Sequence, residues 1–262
     1  SDVYELNPRE IICYDIANYS TVLYSRNFFD IIPEHDKKLG TIRNEFRNLL
    51  EDSVSIRFPD EPFGILFSGG IDSTIIANLC QKLGKRPGVD FICYVAGLKG
   101  NNSNYSPDVS YAKQVADELG LKLKIKEINY QEVEDYLKTV VPLIEDTSVP
   151  KVGVALTMYA ACVAAKEDGI RVMFSGSGAD ELLAGYNRYW KSDNVNQDCY
   201  QDILNIYEKN TYRDDVVSMN NSIELRVPYL DRPLVDYGLK IPDRYKIDDE
   251  KIKVQEEIPR DH

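Results

Sequence analysis

The stretch Phe63-Gly64-Ile65-Leu66-Phe67-Ser68-Gly69-Gly70-Ile71-Asp72-Ser73-Thr74 constrains this 262-residue chain more than any other part of it. The apolar residues 65–67 read as a short buried strand. The strand stops at Ser68-Gly69-Gly70, and the apolar period of residues 71–83 predicts a helix starting there. Strand, glycine turn and helix start together suit an anionic phosphate. The glycines let backbone N–H groups turn outward, and the helix start adds unpaired donors and a positive dipole end. Ser68 and Ser73 can add hydroxyls, and Asp72 can hold a magnesium ion that bridges phosphates. The plainer alternative is a capped helix, with Ser68 or Asp72 serving only as the cap.

Around this stretch, strand patterns alternate with helix patterns. Residues 90–96, 121–128 and 170–174 read as strands, and 37–57, 108–119, 132–141 and 152–166 as helices. The alternation predicts an α/β fold, a parallel sheet flanked by helices with right-handed crossovers. Ligands in such sheets sit at the carboxyl ends of the strands. After Gly185 the pattern is helical, over 198–207, 213–219 and 232–240, so the C-terminal part is expected to be α-helical. Pro228 breaks the chain before the last of these, with Asp231 as its N-cap. Residues 11–14 and 21–24 look like two strands of a hairpin too small to stand alone, which must pack on something else.

Composition narrows the function. Apolar residues make up 43% and charged residues 28%, the balance of a soluble globular chain. The longest uncharged apolar run, 152–165, is too short to span a bilayer, and the start shows no signal-peptide pattern, so no membrane partner and a cytoplasmic location are expected. A net charge of −12 argues against a broad nucleic-acid surface. Cys13, Cys80, Cys93, Cys162 and Cys199 are scattered, with no Cys-x-x-Cys pair, and read as reduced core thiols. His35 and His262 are the only histidines, which makes a zinc site or a Ser-His-Asp triad a poor fit.

A second glycine loop follows the strand ending at Phe174: Ser175-Gly176-Ser177-Gly178-Ala179-Asp180-Glu181-Leu182-Leu183-Ala184-Gly185-Tyr186. In a parallel sheet its open end should face the same crevice as residues 68–73. Asp72 and Asp180 could then share one magnesium and clamp a pyrophosphate. Alternatively, Asp180 and Glu181 only complement a helix N-terminus.

Ser-Gly-Gly-x-Asp-Ser resembles the pyrophosphate loop of N-type ATP pyrophosphatases, which split ATP between its α and β phosphates. With the second loop, with 95–98 and 106–108, and with Ser222-Ile223-Glu224-Leu225-Arg226-Val227-Pro228-Tyr229-Leu230-Asp231, the chain resembles the synthetase domain of glutamine-dependent asparagine synthetases and their β-lactam-forming relatives over about residues 35–245. The resemblance implies an adenine-nucleotide α-hydrolase-like fold over 31–262 and, in 1–30, the end of an amidotransferase domain. It implies ATP along Leu66, Ser68, Gly69, Gly70, Asp72 and Ser73, with adenine near Leu66, Val95 and Gly97. Ser175 and Gly176 would lie by the ribose and α-phosphate, and Asp72 and Asp180 would hold Mg2+–pyrophosphate. A substrate carboxylate, aspartate or a related acid, would be adenylated and then attacked by ammonia or an amine. A separate glutaminase chain and a homodimer are the partners this implies.

The sequence departs from that pattern in three places. Asparagine synthetases generally carry Glu, and β-lactam relatives Tyr, where this chain has Ser177, the remaining catalytic candidate. The segment expected to recognise aspartate, 148–156, offers only Lys151, a point charge without the fork of Arg. Neither Lys251 nor Lys253 can be equated with the family's later lysine, which stabilises charge on the acyl-adenylate. Glu181, Glu224 and Arg226 complete the substrate candidates, the last two alternatively forming a structural ion pair. Two further readings follow from these residues: pyrophosphatase chemistry on tRNA or NAD precursors, and nucleotide binding without turnover.

Overall fold

A computed structural model describes residues 6–84, 90–99 and 106–247. Its centre is a five-stranded parallel sheet of β3 (Phe63–Leu66), β4 (Phe91–Leu98), β5 (Leu123–Ile128), β6 (Val172–Phe174) and β7 (Glu224–Arg226), in the order β5-β4-β3-β6-β7. β3, the strand that runs into the first glycine loop, lies at the middle, with Ile65 opposite both Cys93 and Phe174. Central position explains its apolar composition, since a strand covered on both faces needs no polar alternation. Phe63, Ile65, Phe174 and Met173 are fully buried.

The helices fall largely where their apolar period predicts: α1 (Leu39–Ile56), α2 (Ile71–Leu83), α3 (Pro107–Leu119), α4 (Tyr130–Ile144) and α5 (Val149–Glu167). Local chemistry fixes several starts. Ser106 accepts the Val109 N–H ahead of Pro107, and Asn129 and Glu132 form a reciprocal capping box. Gly120, at φ +63, ends α3 in the left-handed region. On the edge strand β5, Lys124 and Lys126 pair with Asp168 and Glu132. Charged side chains of this kind blunt an exposed strand edge.

By length and composition α5 alone among the described helices could cross a membrane. It instead packs against β4 and buries Ala155, Leu156, Met158 and its run of alanines in the core. The uncharged run 152–165 stops at Lys151 and Lys166, which the helix includes, and burial along residues 155–165 accounts for the apolar character of the run.

Beyond β6 the chain turns helical, through α6 (Ala179–Leu183), α7 (Val195–Ile206), a π turn over Tyr207–Thr211, α8 (Tyr212–Asn220), α9 (Arg232–Gly238) and α10 (Asp243–Lys246). Two details differ from the sequence reading. β7 interrupts this helical part, and three residues are too few to show a strand period. Asp231 stands at the N-cap of α9, but its side chain caps nothing. Its carboxylate accepts from Arg57 Nη2 at 2.6 Å, tying α9 to α1.

Near the start, β1 (Glu10–Asp15) and β2 (Ser20–Ser25) form the expected antiparallel hairpin. Both of its faces are exposed, including Ile11, Ile12, Tyr14, Leu23 and Tyr24, so the described residues do not supply the surface it was expected to pack on.

Phe63 holds the sheet to α1's trailing loop through ring contacts with Phe58, Phe91 and Phe174 at 5.0, 5.5 and 5.4 Å. Phe63→Ala should cost about 3–5 kcal/mol, read as a lower denaturant midpoint with an unchanged slope. An unchanged midpoint would contradict this account of the core.

Candidate active site

Each glycine loop is shaped by its own side chains. In the first, Gly69 sits at φ +76, and a Cβ there would come within 2.8 Å of the Ala112 backbone. Only glycine fits such a position. Ser73 Oγ donates to the Gly70 carbonyl at 3.1 Å and accepts the Ser68 N–H at 3.3 Å, closing the turn. Gly70 starts α2 without any side-chain cap, so the helix's first N–H groups stay available. In the second loop, Ser175 Oγ accepts the Ser177 N–H at 3.2 Å. Gly178, at φ +96, packs directly on Leu230. A Cβ at Gly185 would lie 1.8 Å from Asp180 Oδ1, so glycine there is what lets the Asp180 carboxylate take its place.

The two loops touch. A Cβ at Gly176 would lie 3.0 Å from Asp72 Cβ and 3.1 Å from the Ser73 nitrogen. Asp72 and Asp180 therefore stand at one place, and both line a cleft of about 530 Å³ at the carboxyl ends of the strands. Leu66, Ser68, Gly70, Ser73, Val95, Ser175, Gly176 and Ser177 line the same cleft. Gly69 shapes the loop from behind. Gly97 is off the wall, its open side facing Val109 and Ser106, where a Cβ would meet Val109 at 2.5 Å.

Three substrate candidates are not brought to the cleft. Lys151 Nζ pairs with Asp146 at 2.7 Å at the start of α5. Glu224 is exposed and pairs with Arg226 at 2.8 Å, and Arg226 also donates to the Arg57 carbonyl, so the structural ion pair accounts for both. Glu181 does line the cleft, buried, and accepts from Tyr186 at 2.7 Å and Asn210 at 2.5 Å. Lys251 and Lys253 lie outside the described residues.

The structure adds a carboxylate that the sequence reading missed. Asp214 of α8 is 3% exposed. Its Oδ2 accepts the Ser177 hydroxyl at 2.9 Å, and its Oδ1 accepts from Arg213 at 2.7 Å. In Arg213-Asp214-Asp215 nothing distinguishes a buried acid from a solvated helix face, so no sequence signal could have found it. Ser177 can give its single proton to Asp214, which as a carboxylate only accepts.

Electrostatically the cleft is acidic. Asp72, Asp108, Asp180, Glu181 and Asp214 line it against Arg213, the one cationic side chain among its described lining residues. Burial, and then the charges of Asp180 and Glu181, push the Asp72 carboxyl up to about 6, and burial raises Asp180 as well. Among the described residues no group of three or more His, Cys, Asp or Glu forms a metal cage. Two crowded carboxylates without a cage fit a hard divalent ion that completes its shell with phosphate oxygens and water. Behind Asp72 and Asp180, between α1 and α2, lies a larger cavity of about 1010 Å³ whose wall both carboxylates also share.

Because the folded pKa of Asp72 lies above its ordinary 3.8, the fold binds that proton more tightly than the unfolded chain. Its contribution is fully present below about pH 4 and is lost as pH rises through about 6. Asp72→Asn should stabilise the ligand-free protein at pH 7.5, by at most about 3 kcal/mol before solvent screening, read as a higher melting temperature. At pH 3.5 the gain should vanish. An equal gain at both pH values would contradict the charge-crowding argument.

A family model described as asparagine synthase matches residues 45–199 and 190–255. The putative asparagine synthetase [glutamine-hydrolyzing] 1 of Methanocaldococcus jannaschii is 37% identical over 190 residues, covering 70% of this chain and 33% of that protein. Asparagine synthetase B [glutamine-hydrolyzing] of Escherichia coli is 31% identical over 232 residues, covering 83% of this chain and 41% of that protein. The chain thus spans between a third and two-fifths of the length of these relatives. Overlap with the U34-tRNA thiolase NcsA from Methanococcus maripaludis is loose, with a TM-score of 0.43 at 13% identity over 83% of this chain and 74% of that chain, and carries no weight for function. On the family match over most of its length, the chain belongs to the asparagine synthase family.

Proposed function

We propose that this chain is an ATP-dependent, AMP-forming amide ligase of the asparagine synthetase type. The observation that carries the reading is the contact of the two glycine loops, which sets Asp72 and Asp180 on one cleft wall. ATP would lie along residues 66–73, its adenosine end toward Val95 and its phosphates at the uncapped start of α2. Asp72 and Asp180 would hold magnesium, which supplies charge neutralisation to phosphates that the acidic cleft would otherwise repel.

The chemistry is a carboxylate attacking the α-phosphorus, pyrophosphate leaving, and an amine then displacing AMP from the acyl-adenylate. This chain's share is positioning and fixed dipoles rather than a covalent intermediate. Ser175 and Gly176 would flank the α-phosphate. Ser177, with its proton directed to Asp214, would turn an oxygen lone pair toward the amine. Ammonia could be free or come from a glutaminase; we assign residues 1–30 to the end of an amidotransferase domain, and a homodimer is the assembly this reading expects. Five free thiols, four of them buried, fit a reducing compartment, and on that ground we place the protein in the cytoplasm.

One observation favours an acid other than aspartate. Lys151 is committed outside the cleft, and Arg213 is already neutralised by Asp214, so a second substrate carboxylate has no spare cation among the described lining residues. On this second reading a monocarboxylate is the better substrate.

Mixing the protein with Mg-ATP and candidate acids, and following pyrophosphate, tests both. Acid-stimulated release is expected, with Asp72→Asn and Asp180→Asn each lowering it about 100-fold or more. The larger stimulation, by aspartate or by monocarboxylic amino acids, decides between the two substrates. Release that no acid stimulates, or that Asp72→Asn leaves unchanged, would sink the ligase reading.

A further inference from the structure

Three side chains on the cleft wall form one hydrogen-bonded chain whose direction is fixed at one end. Ser175 Oγ lies 2.9 Å from Ser177 Oγ, which in turn lies 2.9 Å from Asp214 Oδ2. All three residues line the cleft that also holds Asp72 and Asp180. A serine hydroxyl has one proton and two lone pairs, while a carboxylate has lone pairs alone. Ser177 therefore gives its proton to Asp214, and the contact between the serines must carry the proton of Ser175. Ser175 Oγ also accepts the Ser177 N–H at 3.2 Å. Both hydroxyl protons are spent inside the protein, and each oxygen keeps one lone pair for a ligand. The second loop's hydroxyls can accept and cannot donate. Phosphate oxygens, which only accept, gain nothing from them; an N–H group does.

Asp214 is itself held by Arg213, whose Nε and Nη2 both donate to Oδ1, at 2.9 and 2.7 Å, which leaves Oδ2 to Ser177. Resting on the ligase reading above, we propose that Asp214 is a positioning residue for the amine. By fixing the serine pair as acceptors, it makes the second loop the subsite that takes the N–H groups of the attacking nitrogen. That nitrogen must aim its lone pair at the acyl carbon, so its N–H groups point elsewhere and need acceptors. As nitrogen bonds to carbon these groups gain positive charge, and their hydrogen bonds to the serine oxygens strengthen toward the transition state. Asp214 never touches the amine; it acts through Ser177.

Asp214→Asn tests this by reversing the chain. Arg213 only donates, so the new side chain's carbonyl oxygen stays with Arg213 and its NH2 donates to Ser177. The lone pair meant for the amine is then filled. The measurement is a single turnover with enzyme in excess over Mg-ATP and the acid that best stimulates pyrophosphate release. Ammonia is kept low enough that the amide step is the slower one. The rate of amide appearance relative to that of pyrophosphate should fall about 30-fold in Asp214→Asn, the loss of one hydrogen bond to a charged group. Ser177→Ala leaves the Arg213–Asp214 pair in place and covers the case in which Asp214→Asn does not fold; its ratio should fall about tenfold. In the Ser177→Ala background, Asp214→Asn should change the ratio less than about twofold, because the two residues act as a unit. An unchanged ratio in either single variant, or losses that multiply in the double variant, would overturn the proposal and make Asp214 structural. Acid-stimulated pyrophosphate release by the parent would in that case leave the ligase reading standing. A parent protein whose pyrophosphate release no acid stimulates would overturn this proposal together with the reading it rests on.

Discussion

Gly176 and Asp72 are separated by less room than a methyl group needs, and most of the site follows from that close approach. Without a side chain at 176, the loop after β6 can lie against the first turn of α2. The approach puts Asp180 beside Asp72, and Gly185 in turn leaves Asp180 the space its carboxylate fills. β3 and β6 are neighbours in the sheet, so the bends that follow them open to the same end. A parallel sheet with β3 at its centre therefore does more than bury apolar surface: it brings two loops, far apart in sequence, over one cleft.

Bringing them together has an electrostatic cost. Asp72 and Asp180 are drawn out of water next to Glu181, and Arg213, the one cation on the cleft wall among the described residues, is occupied by Asp214. The Tyr229 hydroxyl, buried without a hydrogen-bond partner among the described residues, adds to this local destabilisation. Stability must come from elsewhere, and the aromatic cluster around Phe63 and the alanine-rich face of α5 are both parts of the buried core. A site left unfavourable until ligand arrives can direct binding energy to the groups that react.

Much of the fold was legible because its signals are local. Glycine turns after apolar runs marked β3 and β6, and helical periods marked α1 to α5, since burial on one face imposes those spacings. The shared cleft could be inferred from strand alternation alone. What escaped were features set by distant partners. Asp231 looks like a cap but answers Arg57, and Asp214 looks like a surface acid but receives Ser177. Lys151 looked available for a substrate, yet an acid five residues earlier holds it. The three-residue β7 exists because β6 offers it an edge, which no period of its own could announce.

The account stands or falls on whether one nucleotide bridges the two bends. The most direct measurement is a crystal structure with magnesium and an ATP analogue uncleavable between its α and β phosphates. The account predicts an ion bound by both Asp72 and Asp180 and by phosphate oxygens, with the β and γ phosphates at the start of α2. A nucleotide seated away from Ser68 to Ser73, or an ion that ignores either carboxylate, would contradict it.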